Sequence, residues 1–278
     1  MTDSGNAAAD VNTRFQGSIP EFYDRHLCPV IFAPYAADLA RRVRVPPRGS
    51  LLEIACGTGV LTEQLRKRLP SDVHLVATDL NQPMIDHARS RVKAADPIEW
   101  RTADAAALPF PDRAFGGVVC QFGLMFVPDK DAAFREARRV LAGGGLFAFN
   151  VWDGFAHNSF GRIAHDVIGS FFRSDPPTFY RVPFGLNDPA LLQRLLAANG
   201  FVDVTVEHVP SEAVSASARS LALGLVMGNP VIIPIVEHGI DAHAVVDALA
   251  AALADVGGDA PFRAPIQAVV VTARAGAR

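Results

Sequence analysis

The sequence has few cysteines and no surplus of positive charge, and each shortage excludes a class of protein. Its 3 cysteines, Cys28, Cys56 and Cys120, are too few and too far apart for a disulfide framework or a C-x-x-C metal site, which favours a reduced cytoplasmic compartment. The 26 Lys and Arg side chains are outnumbered by 29 Asp and Glu side chains. Because nucleic-acid binding needs clustered cations, we expect no nucleic-acid partner.

Long apolar runs are missing as well. The longest, residues 221–236, is shorter than a bilayer span and is broken by Gly228 and Pro230, so we expect no membrane insertion. The first dozen residues carry Asp3 and Asp10 and no Lys or Arg, the reverse of a secretory leader. Together these features predict a soluble, cytoplasmic protein.

From residue 50 to residue 151 the sequence alternates short apolar runs with amphipathic helix patterns, which predicts βαβ units in a parallel sheet. We predict strands over residues 51–55, 73–79, 98–103, 115–121 and 145–152, and helices over residues 60–69, 82–95 and 130–141. The last of these helices is expected to stop at Gly143-Gly144-Gly145, where a left-handed cap forms easily.

Residues 1–49 are predicted to be an N-terminal helical lead-in. The stretch 21–45 is apolar and helix-like, but Pro29 and Pro34 interrupt it, which favours two short helices.

Residues 50–278 are predicted to be an α/β domain, so that the chain forms a single structural domain overall. Helical or apolar insertions are expected at residues 153–199 and 214–255, and two further strands at residues 201–209 and 265–275.

The strongest signal for a ligand site is the stretch LLEIACGTGVLTEQL at residues 51–65, a strand that passes through a glycine turn into a helix. In a doubly wound sheet the ligand lies across the carboxyl ends of the strands, next to this turn. Gly57 and Gly59 lack a Cβ, so they allow positive φ and a close approach of ligand to backbone.

Two acidic residues at later strand ends indicate a nucleoside. Asp79 ends the second strand, about twenty-five residues after Glu53, where a carboxylate can accept from both hydroxyls of a ribose. Asp104 follows the third strand, where a carboxylate can accept from the exocyclic amine of a purine and the backbone of Ala105 can contact the ring edge. An adenosine is therefore a reasonable ligand.

A nicotinamide dinucleotide is the obvious competitor. The turn lacks the third glycine of G-x-G-x-x-G, and Glu53 points from the first strand into the same crevice. A carboxylate there repels a pyrophosphate but suits an amine or a sulfonium. The charge therefore favours a cationic nucleoside.

The motifs E-I-A-C-G-T-G, A-T-D-L-N-Q-P-M-I, D-A-A-A-L-P-F-P-D-R-A-F and V-V-C-Q-F-G-L-M-F make the sequence resemble the class I S-adenosylmethionine-dependent methyltransferases. Within that family it is similar to the small-molecule branch with the ubiquinone/menaquinone-type enzymes. The resemblance covers roughly residues 20–152. It implies a doubly wound, Rossmann-like, seven-stranded, mostly parallel sheet in the order 3-2-1-4-5-7-6, with the last strand antiparallel.

The resemblance also implies S-adenosylmethionine as cofactor, S-adenosylhomocysteine as product, and a set of binding residues. The turn Ala55, Cys56, Gly57, Thr58 and Gly59 would hold the methionine part, with Glu53 near its ammonium group and Gln121 offering its carbonyl. Asp79 would bind the ribose, Leu80 and Met84 would flank the adenine, and Asp104 and Ala105 would read its edge. Ala55 replaces the usual first glycine, which is compatible with binding if that position needs no positive φ.

Other polar groups have both a functional and an ordinary interpretation. Cys56 and Cys120 end neighbouring strands and form either a nucleophilic or redox pair or, as is commoner, two buried thiols. His157 and Tyr23 are candidates for a base and an orienting group, or are ordinary surface and packing residues. No histidines stand at metal-ligand spacings, so we expect no metal.

The sequence thus predicts methyl transfer to a small, apolar or aromatic acceptor by oxygen, carbon or nitrogen methylation, and assigns neither a catalytic residue nor an oligomeric state. A non-catalytic nucleoside-binding protein and a nicotinamide-dependent oxidoreductase remain as alternatives. The apolar stretches 153–185 and 214–236 form either a lid over the acceptor or an ordinary second layer.

Overall fold

The computed structural model describes residues 11–44, 48–93 and 97–277 of the chain. Its strands form a seven-stranded sheet in the order β3-β2-β1-β4-β5-β7-β6. The strands are β1 (Ser50–Ile54), β2 (His74–Asp79), β3 (Ile98–Thr102), β4 (Phe115–Gln121), β5 (Leu141–Trp152), β6 (Phe201–Ser215) and β7 (Phe262–Ala275).

Neighbouring strands pair as the sequence predicts. Strand β1 lies parallel to both β2 and β4, and the parallel pairing continues from β2 to β3 and from β4 to β5. Strand β7 runs antiparallel to β5. The doubly wound, mostly parallel sheet and its strand order are therefore confirmed.

Most strands are connected by helices of eleven residues or fewer, and longer helices follow β5 and β6. They are α1 (Ile19–Phe22), a π-helix (Tyr23–Phe32), α2 (Ala33–Arg42), α3 (Val60–Arg68), α4 (Gln82–Arg91), α5 (Lys130–Val140), α6 (Ser159–Ser170), α7 (Pro189–Ala198), α8 (Ala218–Met227), α9 (Ile232–Glu237) and α10 (Ala242–Gly257). Short 3-10 helices span Leu124–Phe126 and Phe179–Arg181.

The chain divides into two compact units. The sheet unit comprises Tyr35–Trp152, Leu186–Val209 and Ala268–Arg278, and the helical unit comprises Met1–Pro34, Asp153–Gly185 and Pro210–Gln267. This division differs from the boundary expected at residue 50, and the domain limits drawn from the sequence stay predictions.

The sheet unit has an apolar core because its central strands carry apolar residues on both faces. Leu51, Val118 and Phe147 are fully buried, and Phe134 of α5 packs against the rings of Phe147 and Phe149 at 5.9 and 5.6 Å. Each such side chain contributes about 1.5–3 kcal/mol by its removal from water.

The helical unit has a core of its own. Leu221 of α8 and Leu249 of α10 are fully buried, and a Cβ on Gly224 would lie 2.7 Å from Leu27 in the π-helix. The Tyr180 hydroxyl donates to the carbonyl of Leu225 over 2.6 Å. The two stretches proposed as a lid contribute to this core, and their movement stays a prediction.

The lead-in departs from the two predicted helices. Helix α1, the π-helix and α2 follow one another without a break, and Pro29 lies inside the π-helix. The Ala33 N–H donates to the Cys28 carbonyl, five residues back. Because a proline ring clashes with the carbonyl one α-turn behind it, the wider π-turn accommodates Pro29 without ending the helix.

The predicted glycine cap of the fifth helix is wrong. Helix α5 ends at Val140, and Leu141 is already extended, with φ −78° and ψ 134°. The three glycines lie inside β5, where the register with β4 shifts between Phe115 and Gly117. A strand irregularity and a helix end both require unusual backbone angles, and glycine adopts such angles easily in either setting.

Other boundaries also shift. Helix α6 lies within the helical or apolar insertion expected at residues 153–199, and its buried residues Phe160, Ile163, Ala164 and Ile168 follow a helical spacing. Strands β6 and β7 are longer than predicted. Residues 1–10, 45–47 and 94–96, on which parts of the lead-in and of the helix over 82–95 were predicted, lie outside the described residues.

The turn after β1 holds a non-glycine residue in the left-handed region. Ala55 has φ +54°, so the position takes positive φ, and the condition stated for a non-glycine residue there is not met. A Cβ on Gly123 would overlap the Cβ of Ala55 and would lie 2.9 Å from the Cys120 sulfur. Gly123 therefore leaves the space that the Ala55 methyl group occupies.

We expect the Gly123→Ala substitution to destabilise the fold by about 1–3 kcal/mol, through overlap with Ala55. The Ala55→Gly substitution should relieve left-handed strain of about 1 kcal/mol and make room for the new methyl group. Urea unfolding of both single variants and the double variant should therefore give a favourable coupling of at least about 1 kcal/mol.

Gly143→Ala is the matched control, because a Cβ there meets nothing within 4 Å, and it should stay within about 0.5 kcal/mol of the unmodified protein. Additive effects of the Ala55 and Gly123 substitutions would contradict this account.

Candidate functional site

The glycine turn after β1 is built by backbone hydrogen bonds to β2. The Cys56 N–H donates to the Thr78 carbonyl over 2.8 Å, and the Gly59 N–H donates to the Cys56 carbonyl over 2.9 Å. The hydroxyl of Thr78 donates in turn to the carbonyl of Glu53. The turn is thereby fixed at the carboxyl ends of two adjacent parallel strands.

The two glycines of this turn have different surroundings. Gly59 has φ +82°, and a Cβ there would lie 2.8 Å from Val92 and 3.2 Å from Ala88, so this position is closed by packing. Gly57 has φ +55°, and a Cβ there would meet no described atom within 4 Å. Gly57 therefore presents bare backbone to open space, as a close-approaching ligand requires.

Asp79 ends β2 with an oriented carboxylate. Its Oδ2 accepts from the Gly57 N–H over 2.9 Å, and its Oδ1 accepts from the Asn81 N–H over 2.8 Å. Burial raises the pKa of Asp79, while these backbone donors act in the opposite direction. Each oxygen keeps a lone pair for a further donor such as a hydroxyl.

Glu53 is the most constrained acid at this edge. It is 1% exposed, and its Oε2 has no hydrogen-bond partner among the described residues. Burial raises the pKa of Glu53 to about 8, the nearby Asp79 carboxylate raises it further, and the polar groups of Thr62 oppose the shift. A buried acceptor without a donor is costly unless a donor or cation arrives with a ligand.

Backbone strain marks the end of β4 as well as the end of β1. Phe122 has φ +51°, and its N–H donates to both the carbonyl and the Oδ1 atom of Asn150, each at 3.1 Å. The Phe122 ring stacks on Trp152 at 4.1 Å and meets Tyr35 edge-on at 5.5 Å. Strained residues held by their surroundings concentrate at functional sites.

The remaining predicted nucleoside residues lie on the loops after β2 and β3. Leu80 is 52% exposed, which leaves an apolar face for a flat ring, whereas Met84 is buried on the inner side of α4. Asp104 is exposed and accepts from the Ala106 N–H over 2.8 Å, and Ala105 is buried. The sheet order places both loops on neighbouring strands.

Gln121 closes β4 beside Asn150 in the strand register, and its side chain is half-buried. Thr58, the remaining polar residue of the glycine turn, is buried, and its carbonyl accepts from the Arg91 guanidinium over 2.9 Å. The assignment of all twelve residues to a cofactor stays a prediction, to which the structure adds their positions.

The thiols at this edge are not reactive nucleophiles. Burial raises the pKa of Cys56 well above its usual value, and the Asp79 and Glu53 carboxylates add to this. Burial raises the pKa of Cys120 to about 12. Since the thiolate is the nucleophile, both side chains behave as packing groups at neutral pH.

His157 and Tyr23 belong to the helical unit. The His157 Nε2 atom lies 3.9 Å from Asp153 Oδ2, and the exposed fraction of the His157 side chain is 54%. Tyr23 stacks on Phe32 at 4.9 Å. Their roles as base and orienting group stay predictions.

The described ranges contain no group of three or more His, Cys, Asp or Glu residues that could hold a metal ion. Across the same residues, no helix combines the length and the apolar character that crossing a membrane requires.

Sequence reasoning missed three residues that shape this edge. Phe122 and Asn150 hold the strained end of β4, and Arg91 fixes the carbonyl of Thr58 from helix α4. The one available signal was Asn150, a polar residue inside the apolar stretch GLFAFNVW.

The residues at this edge fit a nucleoside that carries a positive charge. The unpartnered Glu53 oxygen suits an ammonium or sulfonium group, the open backbone at Gly57 allows close approach, and Asp79 offers lone pairs to hydroxyls. A pyrophosphate would place negative charge against two buried carboxylates.

Comparison with known proteins agrees with this chemistry. A family model described as a methyltransferase domain matches residues 51–145. The chain is similar to the ubiquinone/menaquinone biosynthesis C-methyltransferase UbiE of Hahella chejuensis, with 42% identity over 99 residues that cover 34% of this chain and 40% of that protein. The match therefore spans well under half of that relative.

A longer match is found with the demethylmenaquinone methyltransferase of Listeria welshimeri, at 30% identity over 163 residues that cover 54% of this chain and 69% of the relative. Among solved structures, phosphoethanolamine N-methyltransferase 2 of Haemonchus contortus in complex with S-adenosyl-L-methionine has a TM-score of 0.61 at 17% identity, covering 97% of this chain and 60% of that one. At that identity the likeness shows the fold alone. The sequence matches show that the chain belongs to the class I S-adenosylmethionine-dependent methyltransferases, close to the ubiquinone/menaquinone type.

Proposed function

We propose that the protein transfers the methyl group of S-adenosylmethionine to a small, apolar or aromatic metabolite, by O-, C- or N-methylation. The observation that carries the proposal is the buried Glu53 carboxyl, one oxygen of which has no hydrogen-bond partner in the described part of the chain, beside the glycine turn at Gly57. The named relatives support a quinone-like or phenolic acceptor, since two of them are ubiquinone/menaquinone-type and demethylmenaquinone methyltransferases. A cytoplasmic location belongs to the same proposal.

Each residue of the site has a role in this proposal. Glu53 receives the ammonium group, the backbone of Ala55, Cys56, Gly57, Thr58 and Gly59 surrounds the methionine part, and Gln121 supports it. Asp79 accepts from the ribose hydroxyls, Leu80 and Met84 flank the adenine, and Asp104 and Ala105 contact its edge. The distances within this set favour the assignment, because Asp79 and Gly57 are already joined at 2.9 Å.

In methyl transfer the side chains mainly position the reactants and balance the charge of the cofactor. When bound, the cofactor supplies a methyl group on a positively charged sulfur that leaves as a neutral thioether. Glu53 favours the ammonium group of the cofactor in a desolvated setting, where a charge interaction is stronger than in water. The strained, tightly held ends of β1 and β4 keep the backbone preorganised, which reduces the entropy that alignment would otherwise cost.

A proton must leave the acceptor atom in many methylations, and the role of His157 as a base stays the prediction made from the sequence. Its neighbour Asp153 is oriented by the Gly154 N–H and by the Gln267 side chain, each over 2.7 Å. This arrangement resembles an orienting carboxylate beside a base, although the 3.9 Å separation exceeds a direct hydrogen bond. An acceptor that carries no acidic proton would not require it.

The first expected result distinguishes a nucleoside ligand, S-adenosylhomocysteine, from a dinucleotide, NAD. Calorimetry should give a Kd in the micromolar range for S-adenosylhomocysteine, about −8 kcal/mol at 1 μM, and no measurable binding of NAD. Turnover of S-adenosylmethionine should then appear with at least one acceptor from a panel of quinols, phenols and aromatic amines. Tighter binding of NAD would overturn the proposal, and binding without turnover on any acceptor would favour the non-catalytic alternative.

Asp79→Ala should weaken S-adenosylhomocysteine binding by about 2–3 kcal/mol, because two ribose hydroxyls lose a charged acceptor and the Gly57 N–H loses its partner. Asp72→Ala is the matched control: it makes the same charge change in the exposed turn before β2 and should leave the Kd unchanged. Equal Kd values for Asp79→Ala and the unmodified protein would mean that the ribose binds elsewhere.

The affinity for S-adenosylhomocysteine should increase with pH from about 6 to 8, by at most about tenfold per pH unit. Below its pKa of about 8 the Glu53 carboxyl is protonated, and an ammonium group favours the ionised form, so binding releases a proton. Calorimetry in buffers of different ionisation enthalpy measures that proton. Glu53→Gln should remove both effects.

Folding stability should show the opposite trend. The folded state keeps Glu53 protonated while the unfolded state ionises it near 4.5, so stability decreases as pH rises from about 4.5 to 8. Glu53→Gln should therefore be more stable than the unmodified protein at pH 8, although it binds the ligand less well. A Kd for the unmodified protein that is constant from pH 6 to 8 would contradict the role of Glu53.

A further inference from the structure

The loop that follows β3 is fastened to helix α5 as well as to its own strand. Glu136 of α5 accepts at Oε2 from the Leu108 N–H over 2.8 Å. Arg139, three residues further along the helix, donates to the carbonyl oxygens of Leu108 and Phe110 over 2.8 and 2.7 Å. Two side chains of one helix thus hold the backbone of this loop at adjacent points.

Two more bonds extend the attachment toward β4. The Arg139 guanidinium donates to Asp112 Oδ1 over 2.9 Å. The backbone carbonyl of Arg139 accepts from the Arg113 N–H, also over 2.9 Å. A single arginine therefore contacts the loop at four places. A lysine cannot reproduce this, because its ammonium lacks the planar fork that reaches several carbonyls at once.

Glu136 keeps the arginine in place. The Arg139 Nε and Nη2 atoms donate to the two Glu136 carboxylate oxygens over 2.7 and 2.8 Å, a bidentate pair. The Arg139 hydrogen bond holds the pKa of Glu136 below its ordinary value, and the same contact raises the pKa of Arg139. Both groups are therefore charged across the neutral range.

The turn that carries Asp104 and Ala105 lies between two anchors. At its start, the Ala103 N–H donates to the Asp79 carbonyl over 3.0 Å. At its end, Leu108 is held by the pair on α5. Asp104 is exposed, and its Oδ1 accepts from the Ala106 N–H, a bond that fixes the side chain within the turn but does not fix the turn on the protein. The placement of the turn therefore depends on these two attachments and on the buried Ala105.

We propose that Arg139, held by Glu136, is a positioning residue for nucleoside recognition: it fixes the far end of the 104–107 turn so that Asp104 and Ala105 meet the adenine edge. The inference rests on the proposed function, which assigns those two residues to adenine. A turn with one free end would have to be ordered on binding, and that ordering weakens affinity.

The test is a double-mutant cycle with S-adenosylhomocysteine as the probe, measured by calorimetry. Arg139→Met should weaken binding about tenfold in the unmodified background. In an Asp104→Ala background the same substitution should have a smaller effect, about two- to threefold, since only the Ala105 contact is left for it to serve. In an Asp79→Ala background the loss should stay about tenfold, because the ribose contact is independent of this turn.

Two further variants separate positioning from stability. Arg135→Met is the matched control on the same helix, since Arg135 forms an exposed pair with Asp131, and it should leave the Kd unchanged. Glu136→Gln keeps an amide oxygen for the Leu108 N–H but loses the charge pair with Arg139. It should weaken binding less than Arg139→Met does, and its effect should likewise shrink in the Asp104→Ala background. Thermal unfolding identifies the temperature at which every variant is folded for the titrations.

An unchanged Kd in Arg139→Met, or equal losses in the unmodified and Asp104→Ala backgrounds, would overturn the inference and leave the pair as a structural brace. Failure of the unmodified protein to bind S-adenosylhomocysteine is a different result. It would overturn the proposed function, and this inference with it, before any variant is compared.

Discussion

The burial of two carboxyl groups at adjacent strand ends is the constraint on which this edge of the sheet depends. Glu53 and Asp79 lie on paired strands, both shielded from water, and the Asp79 carboxylate raises the cost of ionising Glu53. The fold lowers the cost of ionising Asp79 with two backbone N–H groups and leaves Glu53 with an unpartnered oxygen. This arrangement is energetically costly in the protein alone, and a cationic ligand would lower that cost.

Backbone strain and side-chain packing at the central strands fix the same edge of the sheet. Ala55 and Phe122 both take left-handed backbone angles, each at a cost of order 1 kcal/mol or more, on the neighbouring strands β1 and β4. Gly123 gives the Ala55 methyl group its space, and Asn150 holds the Phe122 N–H. The backbone around the site is therefore fixed by side chains that need not touch a ligand.

The sequence predicts what depends on local pattern and misses what depends on distant contacts. The alternation of apolar runs predicts the parallel sheet, and the resemblance to the methyltransferases implies its strand order. Gly57, Asp79 and Asp104 predict a nucleoside site at the strand ends. The conformation of Ala55 depends on Gly123, far along the chain, so no local pattern reveals it. The glycines at 143–145 signal unusual backbone angles equally well for a helix end and for a strand irregularity, and only pairing with β4 distinguishes the two.

The contrast between the two turn glycines has a consequence for how this sequence can diverge. Gly59 is enclosed by Val92, Ala88 and Trp100, so its replacement is opposed by the interior of the protein whatever ligand is bound. Gly57 borders open space, so its replacement is opposed by its backbone angle and by the ligand alone. In descendants that abandoned the ligand only the backbone angle would oppose replacement of Gly57, whereas the protein interior would still require glycine at 59, so substitutions should accumulate at 57 first.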